Sequence, residues 1–298
     1  MKVLITGATG FIGGHLVARL LKDGHELIVM TRSAAHARKK FAATVAVITH
    51  TDQINSDEPI DAIINLAGAG IADQRWSESR KQLLVESRLT ITAQLIALMT
   101  RLVSKPEVFI SGSAIGYYGC RSDDLQLDER SDTLNDFTHD LCQRWESEAL
   151  KAQTMGVRVC LLRTGIVLGQ GGALAKMLLA FRLGLGGPIA GGDQWMSWIH
   201  INDDIEIICL MLTQSQYCGA YNLTAPEAVT NEQFSRTLAK TLCRPAWFRL
   251  PAGVLKLMLG EGSDLLLKGQ RVYPKRLLDA DYQFIYPELA AALKQVLK

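Results

Sequence analysis

Residues 6–13 read Thr6-Gly7-Ala8-Thr9-Gly10-Phe11-Ile12-Gly13. An apolar run of strand type, Lys2–Thr6, precedes them, and Phe11–Lys22 continues with helically spaced apolar residues. Each glycine in such a strand-to-helix turn has a physical use. Gly7 permits the tight turn, Gly10 lets a pyrophosphate approach the backbone, and Gly13 lets helix and strand pack closely. The free N–H groups and dipole of the helix start then hold the diphosphate. Incidental glycines in a plain strand–turn–helix are the alternative, and the flanking strand and helix argue against it.

The second strand candidate, Glu26–Met30, identifies the dinucleotide. A site for the unphosphorylated ribose carries a carboxylate about 20 residues past the glycines. Here the strand runs into Thr31-Arg32-Ser33, with no acid. Arg32 and Ser33 are suited to a 2′-phosphate, because a planar guanidinium pairs with phosphate oxygens. The expected cofactor is therefore NADP(H). Arg38, Lys39 and Lys40 on the next helix could help hold that phosphate, with solvated surface charge the favoured alternative.

Further strand candidates are Thr44–Ile48, Ile60–Leu66, Glu107–Ser111 and Val157–Arg163. Several are continuous apolar runs, as in strands covered on both faces. The segments Ser77–Val103 and Phe137–Met155 between them have helical spacing. Alternating strands and helices predict an α/β fold: a Rossmann-type doubly wound parallel sheet with helices on both faces. After Gly169 the texture changes to glycine clusters, a helix candidate at Leu174–Leu185, the aromatic segment Trp195–His200 and a helix over Asp203–Gln214. A strand at Ala220–Leu223 and a helix over Asn231–Leu242 follow. We expect residues 1–168 to form the NADP-binding domain. Residues 169–298 should form a smaller α/β substrate-binding lobe, interleaved with returns to the first domain.

The balance of 32 Lys+Arg against 30 Asp+Glu leaves no basic footprint for nucleic acid. We find no apolar run of the ~18 residues a membrane helix needs, and no signal-peptide pattern at the start. The six scattered cysteines form no CxxC pair and read as reduced, packed thiols. These features lead us to expect a cytoplasmic protein with a small-molecule substrate, and neither nucleic acid nor a membrane as partner.

Thr6–Gly13 resembles the TGxxGxxG loop of the extended short-chain dehydrogenases/reductases, which include the nucleotide-sugar epimerases. Asn65-Leu66-Ala67-Gly68 resembles that family's NxAG segment, and Ser111–Gly119 its SSxxxYG segment. Arg75-Trp76, Ser87-Arg88, Gln194–His200, Tyr221–Pro226 and Arg244-Pro245 resemble a subgroup labelled epimerase family protein. The resemblance implies that Gly7, Thr9, Gly10, Phe11, Ile12, Gly13, Leu66, Ala67 and Gly68 bind the cofactor. Arg163-Thr164-Gly165 would line its nicotinamide side, and a homodimer would form through Ser77–Val103 and Phe137–Met155.

The wider family does its proton chemistry with a Tyr and a Lys four residues later, beside a Ser or Thr. Ser113 aligns with that Ser to within one residue. The helix that should carry the pair reads FTHDLCQRWESEA. Aligned on Glu146, Thr138 stands where Tyr belongs and Cys142 where Lys belongs, so the pair is missing. Ser113, Tyr117 and Tyr118 are then the catalytic candidates. Trp198 and His200 are candidates for contacting substrate, against hydrophobic packing for Trp198 and helix capping around His200; no metal site is expected. Arg75, and Arg88 on the following helix, would aim cations at an anionic substrate, with surface salt bridging the alternative. Three functions follow: an NADP-dependent oxidoreductase or epimerase, a non-catalytic NADP(H)-binding sensor or scaffold, and an NAD-dependent nucleotide-sugar epimerase.

Overall fold

The computed structural model describes residues 1–298. Seven strands form one parallel sheet: β1 (Lys2–Thr6), β2 (Glu26–Met30), β3 (Ala46–Ile48), β4 (Ala62–Asn65), β5 (Val108–Ala114), β6 (Arg158–Thr164) and β7 (Gly219–Leu223). Their spatial order is β7-β6-β5-β4-β1-β2-β3, which reverses direction between β4 and β1. Ligands of such sheets bind outside the carboxyl ends of the strands at that reversal. Val3–Thr6 and Ala62–Asn65 are buried throughout, which accounts for their unbroken apolar character.

The helices are α1 (Phe11–Lys22), α2 (Ala34–Lys40), α3 (Glu78–Arg101), α4 (Phe137–Leu150), α5 (Gly172–Arg182), α6 (Ile201–Thr213), α7 (Asn231–Thr241) and α8 (Ala252–Leu259), with short ones beyond. Serine, aspartate and threonine side chains at Ser77, Asp136 and Thr230 cap α3, α4 and α7. The 24-residue α3 is long and apolar enough, by length and composition alone, to cross a bilayer, although its sequence has no uninterrupted apolar run. Here it packs along α4.

One core cluster, including Val3, Ile5, Leu16, Ile64 and Ile207, fills the sheet face under α1 and α6. A second, including Leu4, Ile63, Leu95 and Phe109, fills the face under α3 and α4. A third, around Trp198, Phe234 and Leu293, belongs to the residues after 165. β7 returns from that part of the chain to pair with β6, so the two regions share the sheet.

Candidate functional site

The glycine loop stands at the sheet's reversal point. Gly7 has φ 72°, and a Cβ there would lie 2.4 Å from the carbonyl carbon of Leu66. A Cβ on Gly13 would lie 2.3 Å from the Gly7 oxygen. These contacts hold β1, the Leu66–Ala67 ribbon and α1 closer together than any side chain permits. Gly10 is exposed and caps α1 without any side-chain cap. The first-turn N–H groups of Phe11, Ile12 and Gly13 therefore remain available to an anion. The Phe11 ring packs against Gly169, Gly171 and Gly172, so its side chain joins the two parts of the chain. Lys40 Nζ donates to Thr9 O at 2.9 Å, which brings its cation to the loop. Sequence reading left Lys40 as a solvated surface charge, because nothing in the pattern places α2 over the loop.

Arg32 is exposed at the end of β2 and makes no ion pair. Ser33 caps α2, accepting from the His36 N–H at 3.4 Å. Their accessible polar groups beside the glycine loop fit a 2′-phosphate. Beneath the loop, Thr6 Oγ1 donates to Asn65 Oδ1 (2.6 Å), Asn65 Nδ2 to Thr92 Oγ1 (2.9 Å) and Trp145 Nε1 to the same oxygen (3.1 Å). This buried network fixes the turn that leads into Leu66, Ala67 and Gly68.

Arg88 on α3 lies directly behind that ribbon. Its guanidinium stacks on Trp145 at 5.2 Å and donates to Leu84 O and Ala69 O. A Cβ on Gly68 would lie 3.0 Å from its Cζ. No carboxylate pairs with it, and burial pushes its pKa below the usual arginine value. The nearby acid on α4 instead serves another cation. Glu146 binds Arg163 bidentately, at 2.9 Å to Nε and 2.9 Å to Nη2, and accepts from Ser113 Oγ at 2.6 Å. Arg163 lies 3.4 Å from the centroid of the Tyr117 ring and donates to Tyr118 Oη.

These placements correct several expectations. Tyr118 is fully buried and donates its hydroxyl to Asn222 Oδ1 at 2.7 Å, and burial pushes its pKa up to about 12. It is a packed residue with no access to substrate. Ser113 is buried and its hydroxyl is committed to Glu146, while Ala114, its neighbour in the alignment margin, has no hydroxyl. The Arg163 charge is neutralised by Glu146 rather than turned to a cofactor. Trp198 is 1% exposed in the third core cluster, so packing, not a substrate platform, explains it. His200 is fully buried, caps α6 through Asn202 N and meets Gln295 Oε1 at 2.8 Å. Thr164 and Gly165 do lie at the carboxyl end of β6, where Gly165 packs on Ser197. Tyr117 is half-buried, and its hydroxyl makes no hydrogen bond within the chain.

A cavity of about 480 Å³ opens beside this end of the sheet. Trp76, Cys120, Asp136, Phe137 and Thr138 line one side, and residues 256–264, including Lys256, Glu261 and Asp264, the other. Arg75 stands at its rim, next to Gly260. Thr138 faces Gly116, as does Cys142, so both occupy the helix face expected for Tyr and Lys. Thr138 Oγ1 donates to Asp136 Oδ1 at 2.7 Å. Burial pushes the Cys120 and Cys142 thiols up to about 12, so both are neutral. Sequence reading missed Glu146 as a site residue and the cavity wall around Asp136. The polar residues around them, as in FTHDLCQRWESEA, single neither carboxylate out.

A model of the NAD dependent epimerase/dehydratase family matches residues 3–224, and one of a domain of unknown function matches 250–296. The chain belongs to the NAD dependent epimerase/dehydratase family. Among its relatives is the chloroplastic epimerase family protein SDR39U1 homolog of Arabidopsis thaliana, 38% identical over all of this chain and 87% of that one. Another is the epimerase family protein YfhF of Bacillus subtilis, 35% identical over all of this chain and 98% of the relative. The solved structure of human epimerase family protein SDR39U1 with NADPH superposes with a TM-score of 0.89, at 36% identity and 99% coverage of both chains. A Thermotoga maritima UDP-glucose 4-epimerase shares the fold of this family member (TM-score 0.80) at only 17% identity.

Proposed function

We propose that this family member is an NADP(H)-dependent oxidoreductase whose small polar substrate enters the cavity between Trp76 and residues 256–264. The observation that carries this reading is Arg32, unpaired and exposed at the one position where an NAD site would hold a carboxylate. The human relative solved with NADPH supports it. Gly10 and the first turn of α1 would hold the diphosphate, with Lys40 nearby. Arg32 and Ser33 would hold the 2′-phosphate, and Arg88 would face the nicotinamide half, which crosses the β4 side of the reversal. NADPH supplies the hydride when bound. The chain's part is to orient the acceptor, exclude water and deliver a proton. Tyr117, with the Arg163 cation against its ring, is the candidate donor. Six unpaired cysteines support the expected cytoplasmic setting, and a dimer through α3 and α4 belongs to the same reading.

A second reading, a binder that senses NADP(H) without turning it over, draws on one specific observation: Thr138 and Cys142 stand where the family's Tyr and Lys belong, and the Ser113 hydroxyl is committed to Glu146. Calorimetry with NADPH and NADH on wild type and Arg32→Ala tests the shared part of both. An exposed guanidinium contributes about 1.5–3 kcal/mol through charge-assisted bonds to phosphate, so the variant should bind NADPH roughly 10- to 150-fold more weakly and NADH unchanged. A wild-type preference for NADH would defeat both. Oxidation of bound NADPH by any member of a carbonyl panel then separates the enzyme from the sensor.

A further inference from the structure

Nine of the fifteen exposed large apolar side chains fall in two stretches, residues 179–185 and 247–258. On α5, Leu179 (69% exposed) and Leu183 are one turn apart and face outward, opposite the buried Phe181. On α8, Val254, Leu257 (76% exposed) and Met258 share one face, while Leu255 beside it is buried. The Arg244–Leu250 loop leads from α7 into α8 and carries Trp247, 84% exposed, and Phe248. It runs alongside residues 182–190: Arg244 Nε donates to Arg182 O at 3.0 Å, and Leu250 N to Pro188 O at 3.0 Å. The apolar residues therefore form one surface rather than scattered outliers.

Its charge is mostly positive. From Gln233 to Gly260 the chain contains Arg236, Lys240, Arg244, Arg249 and Lys256, and no aspartate or glutamate. A hollow of about 420 Å³ beside Trp247 is lined by four of these cations. Its one carboxylate, Glu232, is shared between Arg236 and Arg249. Exposed indole and leucine side chains set among cations, on short amphipathic helices, have the composition of a surface that lies in the headgroup region of an anionic bilayer. A second copy of this chain fits poorly, because the same cations would face each other.

We propose that this face docks the protein peripherally on anionic lipid. Insertion of Trp247, Leu257 and Leu179 supplies the apolar part, and the cations neutralise lipid phosphates. The inference is independent of the hydride-transfer reading, since it uses none of the cofactor residues.

Co-sedimentation of the full chain, with NADPH present, on vesicles of phosphatidylcholine alone and of phosphatidylcholine mixed with phosphatidylglycerol tests it. Binding should be confined to the anionic vesicles and fall at high salt. Arg244→Gln should weaken it about fivefold, and Leu257→Ser or Trp247→Ala about tenfold. Melting temperature and NADPH affinity should stay as in wild type, which separates lost docking from lost folding. Equal binding to both vesicle types, no binding to either, or variants that bind as wild type would overturn the proposal. So would a dimer in gel filtration that Leu257→Ser dissociates, since a second copy would then cover the face.

Discussion

Removing the Glu146 carboxylate isolates the most buried ion pair in the fold. Both side chains of the Glu146–Arg163 pair are 6% exposed, so water screens little of their interaction. In Glu146→Leu the guanidinium keeps Tyr118 Oη and Glu129 O as acceptors but loses both charge-assisted bonds, and Ser113 Oγ loses its acceptor. Breaking a buried pair on one side costs about 3–5 kcal/mol, because the remaining charge is left uncompensated. At roughly 2–4 °C per kcal/mol for a chain of this size class, the melting temperature should fall on the order of 6–20 °C. Arg163→Met should cost a comparable amount by stranding the carboxylate. The double variant Glu146→Leu/Arg163→Met has no buried charge left, so most of the loss should return. Thermal and urea unfolding of all four proteins give the coupling energy. If the single effects simply add, or Glu146→Leu loses less than about 1 kcal/mol, the pair is not the closed unit described here. The result also bears on function, because Arg163 is the group stacked against Tyr117.

Two further outcomes follow from ionisable groups that lack a counter-charge. Arg88→Met should weaken NADPH roughly tenfold, by loss of one charged donor. It should leave adenosine 2′,5′-bisphosphate, which has no nicotinamide half, bound as in wild type; equal losses for both ligands would place Arg88 elsewhere. The Asp204 carboxylate is fully buried with no hydrogen-bond partner, and burial followed by the Asp203 charge raises its pKa to about 7. The folded state then holds a proton that the unfolded state releases near pH 4, so stability falls by up to about 1.4 kcal/mol per pH unit from there to about pH 7. Asp204→Asn should flatten that part of the profile in urea denaturation between pH 5 and 8. An unchanged slope would show that water or a neighbour compensates the carboxylate.

The sheet was legible because its strands are buried on both faces and therefore apolar throughout. Glu26–Met30 and Lys2–Thr6 could be delimited to the residue, whereas β5 runs on to Ala114 because Gly112 and Ser113 carry no strand signal in composition. The cofactor loop was legible for a different reason: only glycine fits where a Cβ would lie 2.3–2.4 Å from backbone. Trp198 misled because an indole looks the same in sequence whether it caps a ligand or fills a core. Glu146 was invisible as a site residue because its partner, Arg163, is on another element, and only the packing of α4 against β5 and β6 brings the two together.

The charges around α4 also bear on what the site lost. A proton-transfer pair with a lysine needs a cation on this helix, and Cys142, neutral in its buried setting, cannot supply one. Two guanidinium groups flank the helix instead. Arg163 is matched by the bidentate Glu146, so its charge is internal to the fold. Arg88 has only carbonyl oxygens and the face of Trp145. A desolvated cation without a counter-charge lowers stability unless a ligand completes it, and stabilisation of the native state on ligand binding is the compensation such a site obtains. On the proposed function, Arg88 would hold the nicotinamide half, while the neutral Cys142 leaves the Thr138 hydroxyl without the cation a lysine would place beside it. Under the proposed function, an acceptor reduced here would take its proton from Tyr117 or from solvent.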